Sequence, residues 1–196
     1  MTSRNILFSI SLVIGILYFT IIGRSGASER RLVTLEELET KNGENGSLIW
    51  LSILGKVYDV TEGKEYYGPG QSYNSLTAAD TTVPFVSGTF TKEEAKKDPV
   101  ELSDSDLTGI LEWQKFYSES DKYHLVGKLV DPRYYDEHGK EQPTFVTLLE
   151  RLEKIKISEE EKKAVKEANK KARLEQAAKQ EEANKKAKAE EAKQEM

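Results

Sequence analysis

From Arg151 to Met196 the chain contains no glycine, no proline and no aromatic residue. A stretch of 46 residues with that composition has neither turn formers nor large side chains, so it cannot be part of an ordinary packed core. It holds 14 Lys/Arg against 11 Asp/Glu, whereas residues 1–150 hold 15 against 23. Ala, Glu, Lys and Gln dominate it, and all four favour helix. The box Ser158-Glu159-Glu160-Glu161 predicts a helix start. Ile155, Ile157, Val165 and Leu174 are too few for a coiled-coil seam, so a solvated single helix is expected over 151–196. At the other end, no charge occurs between Arg4 and Arg24, and Ile6 to Ile22 is a nearly unbroken apolar run. What is left to fold is roughly 120 residues, enough for one domain and not for two.

The apolar run supports two readings. Ser25-Gly26-Ala27 offers small residues where a signal peptidase cleaves, which makes residues 1–27 a signal peptide and the product secreted or luminal. Arg24, Arg30 and Arg31 follow the run while only Arg4 precedes it, and that bias favours a single-pass N-terminal anchor in an endomembrane, through residues 6–22. Asn45-Gly46-Ser47 is a glycosylation triplet in an expected loop and matters only in the luminal case.

Composition also removes chemistry. There is no cysteine, which excludes disulfides, a thiolate metal site, a catalytic thiol and thioether-linked haem. Two histidines, His124 and His138, are too few for a histidine-built metal cluster. The acidic 1–150 segment lacks the Lys/Arg excess that displaces counterions from phosphate, so no nucleic-acid partner is expected. Neither a Ser-His-Asp order nor a phosphate-binding glycine loop occurs, and the expectation is a binding protein without catalytic residues, not an enzyme.

Between the two ends, short strands alternate with short capped helices. Thr34 and Glu37 form a capping box that opens a helix within Leu32–Leu38. The β-branched and aromatic run Leu48–Thr61 is broken at Gly55-Lys56 and predicts a hairpin of Leu48–Leu54 with Val57–Val60. Gly63 to Tyr73 predicts an irregular loop. Thr91 with Glu94 opens a short helix, and Ser103 with Asp106 opens another to about Tyr117, with Leu107, Ile110, Leu111, Trp113 and Phe116 at helical spacing. Tyr123–Val130 closes as a strand. The pattern is α+β. Tyr66, Tyr67 and Tyr73 bracket the glycine loop, and Tyr123 follows Lys122 far downstream. Tyrosines in such loops are commonly packing residues. In a loop without His or Cys, however, a phenol is also the remaining metal ligand, and phenolate is a hard anion that suits ferric iron.

The residues Gly55-Lys56-Val57-Tyr58-Asp59-Val60-Thr61, Gly63-Lys64, Tyr66-Tyr67-Gly68-Pro69-Gly70 and Tyr73 resemble the signature loop of the membrane-associated progesterone receptor family of cytochrome b5-like domains. Lys122-Tyr123-His124 with Val126-Gly127-Lys128-Leu129 is similar to that family's closing motif, in the expected order. The resemblance implies a cytochrome b5-like haem/steroid-binding domain over 32–130, an extension over 131–150, and non-covalent ferric haem as the ligand. It implies Tyr73 as the single axial ligand, Tyr67 as a hydrogen-bond donor toward Tyr73 or the haem, and Lys122 and Tyr123 at the haem edge or propionates. His124, in an expected strand, reads as structural or exposed. One departure stands out: the family usually carries Phe-Ala-Gly-Arg-Asp after the ligand tyrosine, and Leu76-Thr77-Ala78-Ala79-Asp80 stands here. The missing arginine removes a fixed cation that could have met a propionate or braced the loop. The branch of the family resembled implies extracellular or secretory-pathway signalling linked to neuronal differentiation. Two alternatives stay open: a membrane-anchored haem module supporting cytochrome P450 or steroid-handling partners, and a haem-free interaction domain.

Overall fold

The computed structural model describes residues 31–194, with side chains as far as Glu181. The apolar run Ile6–Ile22 and the cleavage-like site at Ala27 lie outside the described residues. Among the described residues, no helix is long and apolar enough to cross a membrane.

The expected hairpin is present, as β2 (Trp50–Ile53) paired antiparallel with β3 (Lys56–Asp59). Its two turn residues, Leu54 and Gly55, have φ of +49° and +66°, the left-handed pair that matches the twist of a tight hairpin. Leu54 accepts that conformation because its side chain is buried and its N–H donates to Thr82 Oγ1 at 2.8 Å. At Gly55 a Cβ would lie 2.8 Å from Cβ and Cγ of Tyr134. Gly55→Ala combines the left-handed penalty with a clash, so a loss of about 2–4 kcal/mol is expected in urea unfolding. A loss below about 1 kcal/mol would mean that Tyr134 yields.

β4 (His124–Val130) extends the sheet on the other side of β3, antiparallel to it. The outer neighbour of β4 is β1 (Leu32–Thr34), which runs parallel to it and pairs Thr34 with Val130, giving the order β1-β4-β3-β2. No strand was expected at Leu32–Thr34, and these three residues ahead of the capping box form one. The capping box opens α1 (Leu35–Glu39) as expected on the Thr34 side, with Thr34 Oγ1 accepting from Glu37 N–H at 3.1 Å. The Glu37 carboxylate does not reach back; it accepts from Arg31 Nη2 at 2.5 Å. The expected glycine-rich loop contains one turn of helix, α2 (Lys64–Tyr67), and α3 (Pro84–Ser87) follows. The Thr91 box caps a single short turn at Glu94–Lys96.

Ser103 caps α4 (Asp104–Glu119), accepting from Asp106 N–H at 3.1 Å. Leu107, Ile110 and Tyr117 are buried, but Trp113 and Phe116 are 39% and 49% exposed. Successive steps of three residues fall about 60° short of a full turn, so the series 107, 110, 113, 116 drifts off the buried stripe, and Tyr117 returns to it.

The chain does not leave the core at Val130. Tyr134, Tyr135, Phe145 and Leu148 are buried, and both tyrosine rings meet Phe145 edge-on at 5.2 and 5.3 Å. These residues include the base of α5 (Pro143–Gln194), a helix of 52 residues. Its start is therefore Pro143 and not Ser158. Proline is pre-organised for a first turn, and Phe145, Leu148 and Leu152 supply a buried stripe there. Arg151 fastens this base by donating to Asp104 Oδ1 and to the carbonyls of Val100 and Leu102. Among the described residues, those to Leu152 form one compact unit and those from Glu153 a second. In that second unit the side chains from Lys162 to Glu181 are exposed, and Lys162 pairs with Glu159 at 2.7 Å.

Candidate functional site

The loop after β3 is closed by its own hydrogen bonds. Thr61 N–H donates to Asp59 Oδ1, Gly68 N–H to the Lys64 carbonyl and Tyr73 N–H to the Tyr66 carbonyl, and Asn74 Nδ2 reaches the Tyr67 carbonyl at 2.9 Å. The returning strand of the loop is thus pinned to both carbonyls of the Tyr66-Tyr67 pair. Neighbouring residues on a helix point about 100° apart, which sends the two rings of that pair to different environments. Tyr67 is buried at 5% exposure, while Tyr66 and Tyr73 are 52% and 51% exposed.

Tyr67 is the hub. Its ring lies 5.9 Å from that of Tyr73 and 5.9 Å, edge-on, from that of Tyr123. Its hydroxyl shares a 2.8 Å hydrogen bond with the hydroxyl of Tyr117 on α4. The Tyr67 hydroxyl, expected to donate toward Tyr73 or the haem, is shared here with Tyr117, which the sequence reading gave only as the end of its helix. Tyr117 packs on Tyr123 at 5.6 Å and on Phe116 at 5.2 Å, and Trp113 stacks on Phe85 at 4.7 Å. The three implied phenols 67, 73 and 123 come together, and α4 adds a wall of Trp113 and Phe116 beside them. The Trp113-x-x-Phe116-Tyr117 spacing was the available signal for that wall. Gly63 permits the packing, since a Cβ there would sit 2.8 Å from Tyr123 Oη.

Burial separates these phenols. Burial pushes Tyr67 up to about 12, with the hydrogen bond from Tyr117 pulling the other way. Burial also raises Tyr117 and Tyr123. These hydroxyls stay protonated at neutral pH and act as packing and hydrogen-bonding groups. Tyr73 presents an accessible phenol beside them. Lys122 is exposed just before β4, with its backbone N–H bonded to Ser120 Oγ. His124 is exposed and lies 3.9 Å from Glu62, away from the buried phenol cluster in environment if not in sequence. Asn45 is exposed on a left-handed turn at Glu44–Gly46. Among the described residues, no group of three His, Asp or Glu is placed to hold a metal ion.

Residues 34–130 match the family described as Cytochrome b5-like Heme/Steroid binding domain. A neuferricin homolog of Drosophila pseudoobscura pseudoobscura is 38% identical over 132 residues, covering 66% of this chain and 45% of its own length. Membrane-associated progesterone-binding protein 4 of Arabidopsis thaliana is 45% identical over 112 residues, covering 57% and 44%. Cytochrome P450 regulator dap1 of Schizosaccharomyces pombe is 33% identical over 112 residues, covering 54% and 66%. The chain thus spans less than half the length of the first two relatives. The matched span begins at the cap of α1 and ends with the last residue of β4, so it takes in the hairpin, the tyrosine loop and the α4 wall. Through these residues the chain belongs to the cytochrome b5-like heme/steroid-binding domain family.

Proposed function

We propose that this chain is a haem-binding protein that holds ferric haem without a covalent bond, through Tyr73 as its only axial ligand. The observation that carries the reading is that the exposed Tyr73 phenol packs on Tyr67, beside phenols that are buried and bonded to one another. The donor set suits the group: a hard anionic oxygen for iron(III), aromatic rings at Tyr67, Tyr123, Phe116 and Trp113 for the porphyrin plane, and the Lys122 ammonium for a propionate. When bound, haem supplies an iron centre that an anionic oxygen ligand keeps ferric. The chain's own part is to fix the phenol, exclude water from one face and hold the buried hydroxyls protonated. The role is binding, not catalysis. Relatives named neuferricin favour a secretory-pathway setting, and a signalling role linked to neuronal differentiation is proposed from the sequence resemblance alone. A second reading, a haem module assisting a cytochrome P450, is favoured by the relative named as a P450 regulator.

Titrating the purified full chain with hemin tests the proposal. A Soret band that saturates at one haem per chain, with a high-spin ferric spectrum, is expected. A titration indistinguishable from free hemin overturns the haem reading and leaves an interaction domain. Glycosylation at Asn45 separates the two cellular readings, because a sugar added there requires a luminal domain.

A further inference from the structure

The segment that departs from the family pattern ends in a buried acid. Asp80 is 2% exposed. Its carboxylate accepts from Tyr134 Oη at 2.6 Å and from Thr82 Oγ1 at 2.8 Å, and Arg133 Nη1 lies 3.3 Å away. Arg133 is itself only 13% exposed and its donors are engaged. Nε and Nη2 each bond Asp131 at 2.8 Å, and Nη1 donates to the carbonyls of Ala95 at 2.7 Å and Lys97 at 2.9 Å. Burial holds the Asp80 carboxyl above its usual range even with Arg133 beside it, which marks a charge dependent on its partners. None of these partners except Thr82 belongs to the tyrosine loop or its continuation, and both Arg133 and Tyr134 lie beyond the matched span 34–130.

Asp80 is mechanically close to the tyrosine loop. Ala78 N–H donates to the Trp50 carbonyl at 2.7 Å, Ser52 N–H to the Ala79 carbonyl at 3.0 Å and Thr81 N–H to the Ser52 carbonyl at 2.8 Å, so residues 78–81 are clipped to β2. Immediately before them, Leu76 N–H donates to the Tyr73 carbonyl and Thr77 N–H to the Asn74 carbonyl, both at 3.0 Å. A single short turn separates Tyr73 from the clipped segment.

We propose that Arg133 and Tyr134 are positioning residues for the Tyr73 loop, which they hold by clamping the Asp80 carboxylate, so that Arg133 supplies from outside the matched domain the bracing cation that the Leu76–Ala79 segment lacks. Of the two duties a family arginine could have, this takes over bracing and not propionate contact, because the guanidinium is buried and each of its three nitrogens already holds a partner. The inference deepens the haem reading and rests on it only for the affinity measurement.

The test uses the full chain carrying Tyr134→Phe, Arg133→Met, and Arg133→Met with Asp80→Asn. Amide exchange is followed without haem, and hemin affinity is measured separately. Tyr134→Phe is the mild variant, removing one bond and keeping the ring. It should speed exchange at Asn74–Thr81 by about tenfold, the consequence of removing one bond to a buried acceptor, while amides of β3 and β4 stay protected. Hemin affinity should fall by a similar factor. Arg133→Met should do more, and adding Asp80→Asn should restore part of the loss, since the stranded charge is gone. An arginine that contacted haem directly would show no such rescue. Exchange that rises uniformly, affinity that is unchanged while the loop loosens, or absence of rescue each overturns the proposal. If the unaltered chain takes up no hemin, the haem reading fails, while exchange at Asn74–Thr77 still decides the clamp.

Discussion

Replacing Tyr73 with Phe should cost at least about 100-fold in hemin affinity, roughly 2.7 kcal/mol, and leave the fold intact. The ring of Tyr73 is half exposed and packs at 5.9 Å on Tyr67, a contact that Phe keeps. What disappears is the oxygen that would bind iron. The comparison variant is Tyr67→Phe, which acts through a different route. It removes one member of the 2.8 Å pair with Tyr117 and strands a buried hydroxyl, at about 1–3 kcal/mol of stability. Tyr67→Phe should therefore lower the melting midpoint and weaken haem binding moderately. Tyr73→Phe should remove the Soret band at a melting midpoint within a few degrees of the unaltered chain. If Tyr73→Phe binds hemin with an unchanged spectrum, the axial assignment is wrong and the exposed His124 becomes the next ligand to test.

The second large effect is alkaline. Burial pushes Tyr58, Tyr67 and Tyr135 each up to about 12 from an ordinary value of 10.0. A group whose folded value is raised contributes stability that is fully present below its unfolded value and is lost as pH rises through the folded one. Stability should therefore hold to about pH 10 and decline steeply between 10 and 12, as the unfolded chain ionises phenols that the folded chain keeps protonated. A gap of about two units is worth at most about 2.7 kcal/mol, less where water screens the group, so even one is a sizeable part of a domain's stability. Tyr117 and Tyr134, also raised by burial, steepen the same decline. Circular dichroism and the phenolate absorbance band, followed together, should change in one step. Phenolate appearing gradually while the helix signal stays constant to pH 12 would show that these hydroxyls reach water in the folded state.

What could be read from the sequence was local in origin. The hairpin is legible because β-branched residues flank a glycine turn, and α4 because Ser103 caps it four residues ahead of the first buried position, Leu107. Tyr67, Tyr73 and Tyr123 could be named together on the strength of two motifs in order. Long-range pairings left no local trace. Leu32–Thr34 is too short to announce a strand, and only Lys128–Val130 makes it one. The hydroxyl partner of Tyr67 is fifty positions away in sequence, at Tyr117. Asp80 reads as an ordinary loop acid until Arg133 and Tyr134 are brought to it. Trp113 and Phe116 share the helical spacing of Leu107 and Ile110 yet lie exposed, because each step of three falls about 60° short of a turn and the drift has accumulated by the second step.

The parallel pairing of β1 with β4 also sets an order of events during synthesis. Leu32–Thr34 leave the ribosome early, yet their strand neighbour among the described residues is Lys128–Val130. At about 5–20 residues per second, several seconds pass before that neighbour exists. Until then the β2–β3 hairpin can form but its β3 edge stays open, and the buried Asp80 awaits a cation made later still. The core is thus complete only once translation has passed Leu152, and a ribosome stalled before Lys128 would carry a domain with its first strand unplaced.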